Sequence, residues 1–208
     1  MRLAIIGAGN VGATLARGLA RAGHEIVFAA RDPNSASVRD ALASIGDKAS
    51  ARPIPDAVAG AEVVLLVTPW EAAQPALAAA GDLSGKVLVD CTNPLGPGLA
   101  LAVGHTTSGA EMVASWARGA RVVKAFNTTG YNNMADPRYP EGAASMFVCG
   151  DDAEAREIVG GLARDLGFDV VDCGDLTKAR LLEPLAALWI SLAVGSLGRD
   201  IAFRLMRR

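Results

Sequence analysis

In the stretch "GAGNVG", residues 7–12, three glycines stand at the spacing that lets a chain turn sharply and lay its backbone against an anion. Gly7 permits the tight turn, Gly9 lets the backbone approach a pyrophosphate, and Gly12 lets the following helix pack closely on the preceding strand. The apolar run before the glycines reads as a strand, and Val11, Leu15 and Leu19 after them repeat at helical spacing. A helix start in that position offers unpaired N–H groups and a partial positive charge, so the segment is expected to hold the diphosphate of a dinucleotide. An ordinary glycine-rich turn is the plain alternative.

The end of the next apolar run, "HEIVFAARDPNSAS", bears on which dinucleotide this is. Sites for NAD place a carboxylate there, where it accepts hydrogen bonds from the ribose hydroxyls. Ala29 and Ala30 occupy that place here and Arg31 follows. A carboxylate about 4 Å from a ribose 2'-phosphate would be repelled by a few kcal/mol at intermediate dielectric, and an arginine would be attracted by a similar amount. The charge therefore favours NADP(H). Asp32 followed by Pro33 reads as a helix N-cap and first helical residue, which aims the acid at backbone amides and leaves Arg31 for the phosphate. Ser35, Ser37 and Arg39 are further donors or simply solvated residues.

Three later apolar runs end in polar tips: "TPW" (Thr68 to Trp70), "CTNP" (Cys91 to Pro94) and "FNTTG" (Phe126 to Gly130). If these runs are parallel strands, their carboxyl ends form the rim on which ligands sit. Pro69 and Trp70 would then be apolar walls, with Asn93, Asn127 and Thr128 as amide and hydroxyl partners of a nicotinamide or its acceptor. Against this, Asn and Thr also close turns without any ligand. Other chemistry has little support: there are only two histidines, His24 and His105, no metal-binding cluster and no nucleophile elbow. His24 reads as structural; His105 is a candidate proton donor; Ser108 and Glu111 have the spacing of a capping box. Lys124 interrupts an apolar strand, serving either an active site or, more commonly, burying its stem while its head reaches solvent. No catalytic side chain is required if the reaction only moves a hydride between two bound rings, since proximity and orientation supply most of the rate.

The elements that must position these groups follow from periodicity. Apolar runs rich in Val, Ile and Leu occur at 2–7, 25–30, 62–67, 86–90, 121–126, 145–149 and 169–172; amphipathic stretches at 10–22, 71–80, 108–118, 152–166 and from Thr177 onward separate most of them. Strands without polar alternation need a sheet covered on both faces, which predicts a doubly wound α/β fold of Rossmann type with a mainly parallel sheet and a small helical C-terminal lobe. The division is expected at residues 1–126 for the dinucleotide-binding half and 127–208 for the lobe. The least regular parts are 95–107 and 131–142.

Composition narrows the partners. With 51% hydrophobic and 20% charged residues in 208, the chain is globular, and a net charge of −2 with scattered basic residues argues against nucleic acid. The uncharged stretch "PLAALWISLAVGSLG", residues 184–198, has 15 residues, short of the roughly 18–20 needed to cross a bilayer, so a helix buried in a core or a homodimer interface is preferred to a membrane span. Cys91, Cys149 and Cys173 are odd in number and lack a C-x-x-C spacing, which fits free thiols in a reducing, cytoplasmic setting.

The sequence resembles the NADP oxidoreductases dependent on the deazaflavin coenzyme F420, over nearly the whole chain. The likeness rests on "IIGAGNVG" (5–12), "ARDP" (30–33), "DCTNP" (90–94), "VVKAFNTTG" (122–130), "NNMADP" (132–137), "GDDAEA" (150–155), "ARLLEPLAALWISLA" and the tail "SLGRDIAFRLMRR". The oxidoreductase domain of membrane ferric reductases is similar in the same stretches. The resemblance implies hydride transfer between NADPH and F420, stacked in a cleft between the nucleotide-binding half and the lobe; a flavin or ferric acceptor, or a sensor that binds NADP(H) without turnover, are the alternatives. It implies that Gly7, Gly9, Asn10, Val11 and Gly12 face the diphosphate, that Arg31 faces the 2'-phosphate, and that Asn93 with the Asn127 loop borders the ring; Ala8 of the glycine turn and Thr68, Pro69 and Pro94 of the strand tips complete the expected cofactor-binding set. A serine or threonine usual before the arginine is Ala30 here. F420 carries a phosphate and an acidic tail, for which Arg138, Lys178 and Arg180 are the candidate cations.

Overall fold

The computed structural model describes residues 1–208. Strand and helix alternate through β1 (Arg2–Ile6), α1 (Asn10–Arg21), β2 (Glu25–Ala30), α2 (Ala36–Ala43), β3 (Ala49–Pro53), α3 (Ile54–Ala59), β4 (Val63–Leu66), α4 (Trp70–Ala80), β5 (Val87–Asp90), α5 (Gly109–Trp116) and β6 (Arg121–Lys124). The chain continues with α6 (Tyr131–Ala135), β7 (Arg138–Tyr139), β8 (Gly142–Ala143), β9 (Ser145–Gly150), α7 (Ala153–Asp165), β10 (Asp169–Asp172) and α8 (Ala179–Val194).

One sheet carries eight of the strands in the order β10-β9-β6-β5-β4-β1-β2-β3. From β3 to β6 every neighbouring pair is parallel. β9 then joins β6 antiparallel, and β10 pairs parallel with β9. The chain runs outward from β1 to β3 and returns to β4 on the other side of β1, so the order reverses between β1 and β4. The carboxyl ends flanking that reversal are where a doubly wound sheet leaves a crevice.

Why these residues form a central sheet is visible in how they divide. Leu3, Ile5, Ile26, Phe28, Val63, Leu65, Val87 and Val89 lie in one core, with Leu15 and Leu19 of α1 and Val159 and Leu162 of α7. Their alternates Ala4, Ile6, Val27, Val64, Leu66 and Leu88 lie in the other, with Val58 of α3, Leu77 of α4 and Val113 of α5. The period-two pattern of side chains is present but both phases are apolar, as two covered faces demand. Each fully buried Leu, Ile or Phe contributes about 1.5–3 kcal/mol, which is the main force aligning the strand ends.

All seven expected strands are present, with ends shifted by up to two residues. The sequence gives no sign of β3 and α3 between β2 and β4, and the helix expected to start at Pro33 is α2, which starts at Ala36. β3, "ASARP", has no apolar run because it is a largely exposed edge strand paired only with β2, and it ends in Arg52 and Pro53, residues suited to an unpaired edge. The segment 131–142, expected to be irregular, contains α6 and the two-stranded β7–β8 ladder. Elements of five and two residues are too short to show a period.

The amides of that segment have a definite task. Asn132 Nδ2 donates to the Arg199 carbonyl at 2.8 Å and Asn133 Nδ2 to the Ile201 carbonyl at 2.7 Å, where Trp189 Nε1 also donates at 2.8 Å. Beyond them, Ser145 N donates to the Phe203 carbonyl and Leu205 N to Ser145 Oγ, both at 2.9 Å. Two of the three asparagines in the loop after β6 thus pin the chain's final segment against the body. No helix is long and apolar enough to cross a membrane.

Candidate functional site

At the tip of β1 the backbone of Gly7 has φ of 118°, a left-handed conformation, and an added Cβ would stand 2.7 Å from the Val67 carbonyl oxygen. A Cβ on Gly12 would lie 2.0 Å from the Gly7 carbonyl oxygen. These two glycines are therefore demanded by the fold itself. Gly9 is different: nothing lies within 4 Å of its missing Cβ. It is the N-cap of α1, makes no side-chain cap bond, and is exposed together with Asn10. The first helical bond runs from Ala13 N to the Gly9 carbonyl at 2.8 Å, so the N–H groups of Asn10, Val11 and Gly12 precede the ladder. With no acidic residue in the first turn, the positive end of the helix faces outward. This is the geometry for a diphosphate.

Beside the turn, a cleft of about 610 Å³ opens between the ends of β1, β2 and β4 and the side of α4. Gly7, Ala8, Arg31, Thr68 and Pro69 line it, as do Ser35 and Ser37. Ile54, Pro75, Ala76 and Ala79 make one wall apolar, suited to an adenine, while Arg31 stands exposed with the two serines at the polar rim. Asp32 does not cap a helix as its sequence position suggested. α2 begins four residues later at Ala36, and Asp32 Oδ1 instead accepts from Asn34 N at 2.9 Å, closing the intervening turn. The carboxylate is still turned on backbone rather than on Arg31.

The remaining expected residues lie beyond β5 and β6, outside that cleft. Asn93 and Asn127 bind each other: Asn93 Nδ2 donates to the Asn127 carbonyl at 3.0 Å, and Asn127 Nδ2 donates to Asn93 Oδ1 at 3.2 Å. Asn127 Nδ2 also reaches the Leu182 carbonyl at 3.2 Å, while its Oδ1 is buried without a partner. Thr68 Oγ1 is likewise buried and unpartnered. Phe126, immediately before Asn127, holds φ of 61°, a strained value for a side chain of that size, and strain of this kind collects at ligand sites. Trp70 lies outside that cleft and packs on Trp116 with ring centroids 5.3 Å apart. Pro94 and Trp70 both close on Gly109, whose Cβ would meet them at 3.1 and 3.2 Å.

Below the asparagine pair is a group of charges that the sequence reading did not assemble. Lys124 was expected to send its head to solvent, but it is fully buried, with Nζ 2.9 Å from Asp90 Oδ2, 3.0 Å from Glu183 Oε1 and 2.6 Å from the Thr92 carbonyl. Burial pulls the Lys124 ammonium down, but the Asp90 and Glu183 carboxylates outweigh it and the net shift is upward, so the lysine stays charged. Glu183 also accepts from Gly109 N at 2.8 Å and Ala110 N at 3.0 Å, at the positive end of α5. The signal in the sequence was three isolated charges, each inside or ending an apolar run.

His24 and Ser108 are structural. His24 Nε2 is 2.9 Å from Asp165 Oδ2, tying α1's exit to the end of α7. Ser108 caps α5, accepting from Glu111 N at 3.2 Å, but the Glu111 carboxylate takes the Ser108 hydroxyl and Arg180 rather than completing a capping box. Burial pushes the Cys91 thiol far up, and it pushes Cys149 up to about 12, so neither is a nucleophile. His105, Lys178 and Arg180 line a second cleft, of about 520 Å³, at the start of α8. Arg138 is exposed and paired with Asp136. No group of three or more His, Cys, Asp or Glu is placed to hold a metal ion.

Comparison with known proteins gives a consistent result. Residues 2–94 match the family model described as NADP oxidoreductase coenzyme F420-dependent. The chain is 31% identical, over 99% of its length and 94% of the relative's, to the F420-dependent NADP reductase of Methanothermobacter thermautotrophicus. It is 32% identical over 97% of its length to the metalloreductase STEAP3 of Rattus norvegicus, of which it spans 40%. A crystal structure from Arthrobacter sp. FB24, provisionally assigned as an F420-dependent NADP reductase, superposes with a TM-score of 0.90 at 36% identity, covering 99% of each chain.

Proposed function

Because the chain belongs to the family of F420-dependent NADP oxidoreductases, we propose that it transfers a hydride between NADP(H) and a flat redox acceptor, with the deazaflavin coenzyme F420 as that acceptor. It is an NADP-dependent oxidoreductase. The observation that carries the fuller reading is the open turn at Gly9: free N–H groups at the mouth of α1 adjoin a cleft whose polar rim is Arg31, Ser35 and Ser37. A diphosphate fits the first and a 2'-phosphoadenosine the second. The extended dinucleotide would then run past Thr68 and Pro69 toward Asn93, Pro94 and Asn127.

NADPH supplies the hydride; the chain supplies placement. Gly7, Ala8, Gly9, Asn10, Val11 and Gly12 hold the diphosphate by backbone, Arg31 selects the 2'-phosphate by charge, and the asparagine pair presents amides to the ring end. No side chain exchanges a proton in this reading, and fixed geometry provides the acceleration. Residues 127–208 act as the lobe over the ring end, and the cations Lys178 and Arg180 in the second cleft suit an acidic acceptor tail. Leu181 and Leu188 of α8, seven residues apart and so on one side of the helix, are exposed, which accords with a homodimer. Three free cysteines accord with a reducing, cytoplasmic setting.

A second reading is favoured by the 32% identity to a metalloreductase: reduction of a flavin, with ferric iron downstream. One experiment separates the two. Protein is mixed with NADPH and, in separate cells, F420, FMN, FAD or a ferric chelate, and loss of NADPH absorbance is followed. Fastest oxidation with F420 supports the proposal. Oxidation only with flavin or iron transfers it to the second reading, and nucleotide binding without oxidation by any of them would leave a sensor of NADP(H).

A further inference from the structure

We propose that the buried cluster of Lys124, Asp90 and Glu183 is a positioning device that sets the Asn93–Asn127 pair at the ring end of the site, resting on the reading that this pair borders the nicotinamide. The cluster joins four elements: Asp90 ends β5, Lys124 ends β6, Glu183 comes from α8, and the amides of Gly109 and Ala110 begin α5. Each asparagine is tied one residue away from it. On one side, Asp90 Oδ1 accepts from Thr92 N at 2.9 Å and Thr92 Oγ1 at 2.7 Å, and Lys124 Nζ donates to the Thr92 carbonyl at 2.6 Å, fixing the backbone that leads into Asn93. On the other, Asn127 Nδ2 donates at 3.2 Å to the carbonyl of Leu182, the residue before Glu183. The two asparagines then close the circuit between themselves.

Three charged side chains, none more than 1% exposed, are an expensive way to join a helix to a sheet. Apolar residues of similar volume often do as well or better for stability. What a charge cluster adds is fixed direction: Lys124 has donors for both carboxylates and the Thr92 carbonyl, so small shifts of any one element break a bond. Gly109 reinforces this, since a Cβ there would stand 3.1 Å from both Glu183 Oε1 and Pro94 Cγ. The cluster lies at the ends of β5 and β6, whereas the adenosine cleft is built from β1, β2, β4 and α4. A disturbance of the cluster is thus expected to reach one end of the dinucleotide and not the other.

The test uses Glu183→Gln, which keeps shape and removes the charge, and compares two ligands by titration: NADPH, which spans both ends, and adenosine 2',5'-bisphosphate, which occupies only the adenosine cleft. The expected result is a loss of about tenfold in NADPH affinity with the bisphosphate held within about twofold. Equal losses for both ligands, or no loss for either, overturn the proposal. Should Glu183→Gln not fold, Thr92→Val, which removes only the hydroxyl on Asp90, is measured the same way, with about a threefold selective loss expected and the same overturning results. If the unaltered protein binds the bisphosphate and NADPH equally well, the placement of the ring end itself fails, a result distinct from any of these.

Discussion

Glu183 Oε1 stands 3.0 Å from Lys124 Nζ in the buried interior, and this contact ties α8 to the end of β6 in the sheet. Lys124→Met would leave Asp90 and Glu183 as buried carboxylates without their counter-charge, and removal of one partner from such a pair costs about 3–5 kcal/mol. Urea unfolding at neutral pH measures it. The folded-state pKa of Lys124 lies above its ordinary 10.5. A raised pKa means the contribution is fully present below the unfolded value and is lost as pH rises through the folded one. The gap between wild type and Lys124→Met should therefore stay constant across neutral pH and narrow only above about 10.5.

Arg31→Ala should weaken NADPH use while leaving NADH use almost unchanged. A charge-assisted bond to a phosphate contributes about 1.5–3 kcal/mol, so a loss of about 10- to 100-fold in kcat/KM for NADPH alone is expected. Steady-state kinetics with both nucleotides reads this directly. Equal losses for the two would remove the residue from the 2'-phosphate.

The glycines of the turn divide into two kinds, and alanine separates them. Gly12→Ala puts a methyl 2.0 Å from the Gly7 carbonyl oxygen and should lower the melting temperature whether or not nucleotide is present. Gly9→Ala meets nothing within 4 Å, so the fold should be untouched while NADPH affinity falls by roughly tenfold, because only the ligand approaches that close. Calorimetry with and without NADPH distinguishes the two outcomes.

Asn133→Ala should loosen the final segment rather than the nucleotide site. It removes the bonds to the Ile201 carbonyl and the Tyr139 hydroxyl, a cost of about 1–3 kcal/mol for groups left unpaired. Faster tryptic cleavage at Arg199 and Arg204, with unchanged NADPH binding, is the expected pattern in a timed digest followed by mass spectrometry.

How far the sequence discloses this molecule depends on the scale of the feature. The central strands and the glycine turn are legible because burial on both faces and a required positive φ each leave a residue-level mark. α3, α6 and β3 are not, since each is short and its residues are shaped by neighbours brought close only by folding. Arg31 is legible as a charge standing where an acid is usual. Asn132 and Asn133 illustrate the opposite case: their residue types suggest a ligand, but their partners are carbonyls at 199 and 201, and no local pattern connects segments so distant. The Lys124 cluster is intermediate. Each of its charges is anomalous within an apolar stretch, yet only the sheet order reveals that they are anomalous together.

β9 overlaps β6 only at Cys149 and Gly150, and at Ser145 the last residues of the chain take the place of a neighbouring strand. The terminus is thus a stopper in an otherwise open seam. Shortening the chain to Gly198 would uncork it, and because a bare strand invites pairing with another molecule, the first fault of such a truncation should be clumping on storage, ahead of any change in how it handles nucleotide.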